Sequence, residues 1–249
     1  MGDSQSKVQV DGTTVPVVDG FRQRGVEMTR LETFADAAFA FAVTLLVVAG
    51  GDTIPKDFAE MMLAVKQVPA FAASFANIML FWYAHHRWSR RFGLVGPGAT
   101  LLTLLLIFVM LIFVYPLKAI YSGAFEFFSG GYLTSYFELR SVADLRTMFI
   151  IFGAGYAALA GVVVLLNRHA LGKSEALSLN AFERFETVTE VQHWLINMSV
   201  PLTSIVLAIV MPDGLVVIAG LCYFLLGVLI PLHGTMRRRA AAKIQVEAQ

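Results

Sequence analysis

Long apolar stretches, separated by short segments that contain Gly, Pro or charged residues, make up most of this 249-residue chain. About 20 helical residues are needed to cross the roughly 30 Å hydrocarbon layer of a bilayer. The stretches that reach or approach this length are 30–48, 58–87, 99–117, 148–166, 193–211 and 215–232. The pattern therefore predicts an all-α membrane protein with six transmembrane helices.

The predicted spans form one membrane domain, 28–235, between two polar ends. Residues 1–27 have no apolar core of the kind found in a cleavable signal peptide, and they are expected to be a flexible cytoplasmic tail. Residues 236–249 are expected to be a basic cytoplasmic tail. The run Gly50-Gly51-Asp52 predicts the end of the first span, and Pro69 predicts a kink near the start of the second.

Further predictions concern the later spans and their connections. The third span is apolar all round, which is typical of a lipid-facing helix, and Pro116 is expected to end it. Residues 119–145 predict an aromatic outer connection in the membrane interface. Residues 180–190 predict an amphipathic helix, interpreted as a solvated connector. The fourth span has a surface of small residues that permits close helix contact, formed by Gly153, Ala154, Gly155, Ala157, Ala158, Ala160 and Gly161.

Composition supports the membrane assignment, because 57% of the residues are hydrophobic and only 15% are charged. The net charge of +1 gives no reason to expect a nucleic-acid partner. Most basic residues fall on the side that carries the N-terminus, so both termini are predicted to be cytoplasmic in a multi-pass protein of the inner (plasma) membrane. The single cysteine, Cys222, excludes an internal disulfide.

The first span carries an acidic residue, Asp36, inside an otherwise apolar helix. Ionisable side chains at membrane depth usually face a bundle interior or a watery path, so this helix is predicted to be central. A stripe of residues lies on the other side of the helix, centred about 130° from Asp36. It comprises Phe41, Thr44, Leu45 and Val48 and is predicted to line a narrow path. Ordinary helix packing remains the alternative interpretation of the stripe.

In the second span, Trp82, His85 and His86 recur at helical spacing on one side. The ring nitrogens of Trp and His are hydrogen-bond donors that suit a buried carboxylate such as Asp36. An aromatic and basic belt at the membrane interface is the alternative. A weaker one is bis-histidine haem ligation by two of His85, His86, His193 and His233. No cofactor, metal site or catalytic motif is predicted, so the chain is not expected to be an enzyme.

The first span resembles the first-helix motif of the transmembrane protein 175 family of lysosomal and bacterial potassium channels. Arg30, Phe34, Asp36 and Thr44 stand in matching places, and the second span also resembles the family in carrying a Trp followed by His residues. The chain departs from the motif at Ala35, where the family has Ser, and at Phe41, where it usually has Ile. The absence of a repeated first-helix motif resembles the bacterial members.

The resemblance implies that Arg30, Phe34 and Asp36 join Trp82 and His85 or His86 in a network that holds the pore helix. It also implies a potassium-preferring cation channel that lacks the carbonyl selectivity filter Thr-Val-Gly-Tyr-Gly. One six-helix unit cannot enclose a watery path by itself, but four copies of the first helix around a shared axis can, so a homotetramer in lipid is expected. Potassium and other monovalent cations are the expected permeant ions. Glu32 or a neighbouring helix is expected to neutralise Arg30.

Two other classes of function stay open at this point. A secondary transporter of a small solute or ion is the first alternative, although such proteins usually show internal repeats or broken central helices. A membrane scaffold without transport activity is the second.

Overall fold

The computed structural model of the chain describes residues 6–10, 13–48 and 55–247. Among the helices of these residues, five are long and apolar enough to cross a membrane, and one bent pair supplies a sixth span. In chain order they are α1 (Arg30–Val48), α2 and α3 (Phe58–Lys66 and Val68–Phe92), α4 (Pro97–Phe128), α5 (Val142–Gly172), α6 (Ala181–Val210) and a last span that contains α7 (Val217–Leu221) and α8 (Leu226–Glu247). The predicted helical membrane fold is confirmed.

A small antiparallel sheet precedes α1. Its strands are β1 (Ser6–Val10), β2 (Thr13–Val18) and β3 (Phe21–Arg22). Asp19 and Gly20 join β2 to β3 with φ angles of 52° and 77°, the left-handed pair that a two-residue hairpin turn requires. The predicted flexible tail is therefore corrected for the residues of this sheet. Residues 1–5 and 11–12 of that tail lie outside the described residues.

The sheet is attached to the end of α3 through Phe21, which is fully buried. The Phe21 ring meets the Phe92 ring edge to face at 5.6 Å, and the Arg91 guanidinium lies 4.6 Å from its centre. Backbone bonds continue this contact, because Gly25 N donates to Arg90 O at 3.0 Å. The chain that leads into α1 is thus packed against the third helix.

The second span is broken between α2 and α3, whose axes differ by 43°. Gln67 separates the two helices, and Pro69 lies in the first turn of α3. A proline is tolerated there because the N–H groups of a first turn have no partner within the helix. The predicted kink is confirmed. The predicted break at Gly50-Gly51-Asp52 lies outside the described residues.

The structure contradicts one prediction about the third span and narrows another. The helix α4 continues through Pro116 to Phe128, so residues 119–128 are helical and belong to no outer connection. Neighbouring helices allow a membrane helix to continue past a proline. The helix does not face lipid all round, because a row comprising Leu106, Met110, Phe113, Val114 and Leu117 is buried, while Leu101, Phe108 and Ile112 on the other side are exposed. A fully apolar surface is compatible with either lipid or protein neighbours.

The centre of the bundle is α5, which packs between α4 and α6. A Cβ atom at Gly153 would come within 3.0 Å of Pro201 O on α6, and one at Gly155 would meet the Phe113 ring of α4 at 2.4 Å. The predicted close contact at small residues is therefore confirmed. Trp88 of α3 adds a hydrogen bond to Leu166 O of α5 at 2.9 Å.

The amphipathic connector predicted at 180–190 is wrong as a separate element, because residues 181–190 are the first turns of α6. Asn180 begins the helix with a capping box, in which its side chain and that of Glu183 each accept from the other residue's backbone. The last span is interrupted by a 3₁₀ turn at Cys222–Leu225. The predicted basic tail is helical to Glu247, and residues 248–249 lie outside the described part.

Candidate functional site

The helix α1 has two distinct faces. One face packs on α3 and α4, and its buried residues are Glu32, Ala35, Phe39, Ala42 and Leu46. The opposite face is exposed over the whole helix and consists of Arg30, Thr33, Phe34, Ala37, Ala40, Phe41, Thr44, Val47 and Val48. A helix packed inside a single bundle would bury a wider surface, so the exposed face is available for contacts outside this chain.

The residues predicted to line a path lie on or beside this exposed face. Phe41 is 54% exposed and Val48 66%, and Thr44 is also exposed. The Thr44 hydroxyl donates to Ala40 O of its own helix at 3.2 Å, so its oxygen stays available as an acceptor. Leu45 is half-buried against the hydrophobic core of the chain and lies at the edge of the stripe.

Asp36 is half-buried and receives a hydrogen bond from the second span. Trp82 Nε1 donates to Asp36 Oδ1 at 2.8 Å. The indole also stacks on the His86 ring, with centroids 5.3 Å apart and planes inclined by 20°. A bond between a neutral donor and an ionised carboxylate is stronger than one between neutral groups, so this contact holds α1 against α3.

Glu32 belongs to the same contact region, which the sequence interpretation did not anticipate. Its side chain is 2% exposed, and its Oε1 lies 3.7 Å from His86 Nδ1. The expectation that Glu32 neutralises Arg30 is therefore wrong. The Glu32 backbone N–H donates to Thr29 Oγ1 at 3.1 Å, which is how an N-cap side chain begins a helix. The Thr-x-x-Glu spacing of Thr29 and Glu32 was a sequence signal for the start of this helix.

The contact that His85 makes is with α4 and not with Asp36. It is 2% exposed, and its Nε2 lies 3.0 Å from Thr103 Oγ1 of α4. Of the two histidines that the resemblance offered, His86 is the one beside Trp82, whereas His85 joins α3 to α4. The other two candidates for haem ligation have contacts of their own: His233 Nε2 of α8 lies 3.2 Å from Gln192 Oε1, and the His193 ring packs on Trp194.

Arg30 and Phe34 are not brought to Asp36 and Trp82 within the chain. Both lie on the exposed face of α1, and Phe34 is 54% exposed. Within the described part of the chain, Arg30 takes part in no hydrogen bond or ion pair. The far end of α1 has a contact of its own, because Lys118 Nζ lies 3.5 Å from Val47 O.

A buried ion cluster lies just before α1, and the sequence interpretation missed it. Glu183 is fully buried at the start of α6, where Arg22 Nε donates to its Oε1 at 2.9 Å and Arg24 Nη2 to its Oε2 at 2.8 Å. Hydrogen bonding to Glu183 raises the pKa of the Arg22 guanidinium above its usual value. The strand that precedes α1 is thus joined to α6. Local sequence indicated only the two elements that carry the cluster: the Asp19-Gly20 turn predicts the hairpin, and the Asn180-x-x-Glu183 spacing predicts the start of α6.

These features define a polytopic helical membrane protein whose first span is held from behind by hydrogen bonds and keeps its other face free for further contacts. The sequence pattern of the endosomal/lysosomal potassium channel TMEM175 matches residues 30–116. A protein of Marivirga tractuosa named potassium channel is 32% identical over 93% of this chain and 96% of its own length. The chain therefore belongs to the TMEM175 family.

Solved structures agree with this assignment. A crystal structure of a variant of the potassium channel MtTMEM175, in complex with a nanobody–MBP fusion protein, is similar with a TM-score of 0.77 and 31% identity, over 90% of this chain and 99% of that one. A homolog of the lysosomal potassium-selective channel TMEM175, from Chamaesiphon minutus, shares the fold, with a TM-score of 0.53 and 22% identity over 84% and 96% of the chains. These relatives are channels and not enzymes.

Proposed function

We propose that the chain forms a homotetrameric, potassium-preferring cation channel in which four copies of α1 surround the ion path. The observation that carries this proposal is the exposed face of α1, which is apolar around Phe41 and Val48 and includes the hydroxyl of Thr44. Moving a bare cation through hydrocarbon costs on the order of tens of kcal/mol, so a permeating ion needs a watery path. Closed cyclic symmetry lets identical faces enclose such a path.

The potassium preference is inferred from the relatives, which are named as potassium channels. No carbonyl filter sequence is present in the chain, so rings of side chains have to provide the constriction. We assign it to Phe41, Leu45 and Val48, with Thr44 supplying hydroxyl oxygens. A hydrophobic ring of this kind gates by excluding water, and it discriminates between cations only modestly.

The contacts behind α1 support the same arrangement. Trp82 and the contact between the buried Glu32 and His86 lie on the side of α1 that faces its own bundle, which leaves the Phe41 side for the axis. Arg30 lies on the axial side, and a ring of four arginines would repel cations. Since no acid of the described part pairs with Arg30, we assign its neutralisation to a neighbouring protomer.

We further propose that both termini face the cytoplasm in the inner membrane. In support, contacts join the chain before α1 to α3 and α6, and α8 to α6, at one end of the bundle. Examples are Gly25 with Arg90, Arg24 with Glu183 and Arg237 with Thr189. Basic residues gathered at one end are typical of the cytoplasmic side.

The test is a flux assay on the purified chain in liposomes, with potassium and sodium gradients in separate samples, together with light scattering of the detergent-solubilised particle. We expect a tetrameric mass and rapid potassium flux that needs no second solute. A monomeric particle, or flux that saturates and requires a coupled ion, would contradict the proposal. The second outcome would favour a transporter, for which the broken last span at Cys222–Leu225 is the supporting observation.

A further inference from the structure

An apolar groove of about 450 Å³ runs between α4, α5 and α6, away from the contacts of α1. Leu105 and Val109 form one side and Leu195 and Met198 the other, while Ala158 and Gly161 form its floor. The groove exists because the floor residues are small and the flanking residues are large. Its mouth is open, since Leu105, Ala158 and Leu195 are all exposed.

One charged side chain, Arg168, lines the groove together with these apolar residues. Ala158, Gly161, Leu165 and Arg168 follow one another at three- and four-residue spacing on α5, so the floor of the groove leads to the guanidinium. Arg168 is exposed, and it makes no hydrogen bond or ion pair with any residue that the structure describes. An arginine near the end of a membrane helix extends its guanidinium to the level of the lipid head groups.

We propose that this groove binds an anionic phospholipid, with an acyl chain along the Ala158–Gly161 floor and the phosphate paired with Arg168. Both parts of the ligand match the groove, because its walls are apolar and its one charge is a guanidinium, whose planar donors bind phosphate oxygens in pairs. Basic pockets between membrane helices bind anionic head groups on the same principle. A zwitterionic lipid carries its own cation beside the phosphate and gains less from Arg168.

The test uses the full chain, purified in detergent and titrated with palmitoyl-oleoyl phosphatidylglycerol, while bound lipids are counted by native mass spectrometry. We expect one tight site per protomer, which Arg168→Gln weakens by about tenfold and Arg168→Lys weakens less. Arg238→Gln is the matched control, because Arg238 is also exposed and also makes no hydrogen bond or ion pair within the described residues. It should leave the affinity unchanged.

A second variant tests the apolar half of the site independently of the charge. Ala158→Leu fills the floor, and because Ala158 is exposed the larger side chain points into the groove without disturbing the core. It should weaken phosphatidylglycerol binding while the melting temperature stays the same. Ala143→Leu makes the same change at an exposed alanine near the other end of α5 and should have no effect.

Parallel titrations with phosphatidylcholine and with inorganic phosphate separate the possible sources of the phosphate group. Weak binding of both supports the proposal. Equal binding of phosphatidylcholine, binding of inorganic phosphate that Arg168→Gln abolishes, or phosphatidylglycerol binding unchanged in both variants would overturn it. A change of oligomeric mass in Ala158→Leu would also overturn it, since a second copy of the chain would then cover the groove.

Discussion

The indole N–H of Trp82 donates to the carboxylate of Asp36 at 2.8 Å, and this bond joins the second membrane span to the first. Trp82→Phe keeps a ring that stacks on His86 but removes the donor. We expect a loss of about 1.5–3 kcal/mol of stability, the usual value of a hydrogen bond to a charged group. Thermal unfolding in detergent measures it.

Trp194→Phe is the control for this prediction. Trp194 is 3% exposed, and its indole donates to no other residue of the described part, so the variant loses packing but no internal hydrogen bond. Equal destabilisation by the two variants would show that the bond to Asp36 contributes nothing beyond packing.

Asp36→Asn should mainly reduce assembly. The amide oxygen still accepts from Trp82, but the bond loses its charge assistance, and α1 is then held less firmly with its Phe41 face outward. We expect a lower yield of the large oligomer in size-exclusion chromatography with light scattering. An intact oligomer with an altered potassium-to-sodium ratio would instead place Asp36 on the ion path.

Phe41→Ala should increase potassium flux in liposomes. Phe41 is 54% exposed on the face that we assign to the axis, and its removal widens a ring that excludes water. The control is Phe58→Ala, because Phe58 is 72% exposed at the start of α2 and lies outside α1. Flux equal to that of the unmodified chain would remove Phe41 from the constriction.

Glu183→Gln should destabilise the protein by about 3–5 kcal/mol, because it leaves the mostly buried guanidinium groups of Arg22 and Arg24 without a counter-charge. Glu186→Gln on the same helix is the control, since Glu186 makes no hydrogen bond or ion pair within the described residues. Thermal unfolding of both variants decides the matter. Indistinguishable midpoints would mean that the cluster adds nothing to stability.

Gly25→Ala should detach the segment before α1 from α3. An added Cβ would lie 2.4 Å from Ser89 O, a backbone atom, so the two segments have to separate. Faster amide hydrogen exchange over residues 15–25 is the expected readout. Gly96→Ala makes the same change where no atom lies within 4 Å of the new Cβ, and exchange should stay unchanged there. Slow exchange in both variants would contradict the prediction.

The parts of this structure that local sequence could predict are those that depend on helical periodicity. Asp36 and Phe41 lie on different faces of α1 because each residue of a helix is rotated by about 100° from the one before it. This rotation does not depend on what surrounds the helix. The proline at position 69 marked a kink for a similarly local reason. Hydrophobicity of 18–20 residues was enough to locate the spans to within a few turns.

Other features depend on neighbours that are distant in the chain. The sequence of α4 is apolar on every side, and such a sequence is compatible with contact with lipid or with α5. The structure was therefore needed to show which side of α4 is buried. The choice between His85 and His86 depended on where Thr103 and Glu32 lie. No local sequence pattern could predict the contact between Arg22 and Glu183. Local sequence could predict only the hairpin that carries Arg22, from the turn residues Asp19 and Gly20.

Arg22 and Glu183 are 161 positions apart, and this separation bears on the order of biosynthesis. The ribosome delivers the hairpin and α1 to the bilayer first, long before α6 exists, and chains begin to fold from their N-terminal side during synthesis. Arg22 of the hairpin therefore has no contact with Glu183 until most of the chain has been translated. Translation products cut short before α6 should therefore keep the contacts of α1 and the hairpin with α3, but lack the tie between the hairpin and α6.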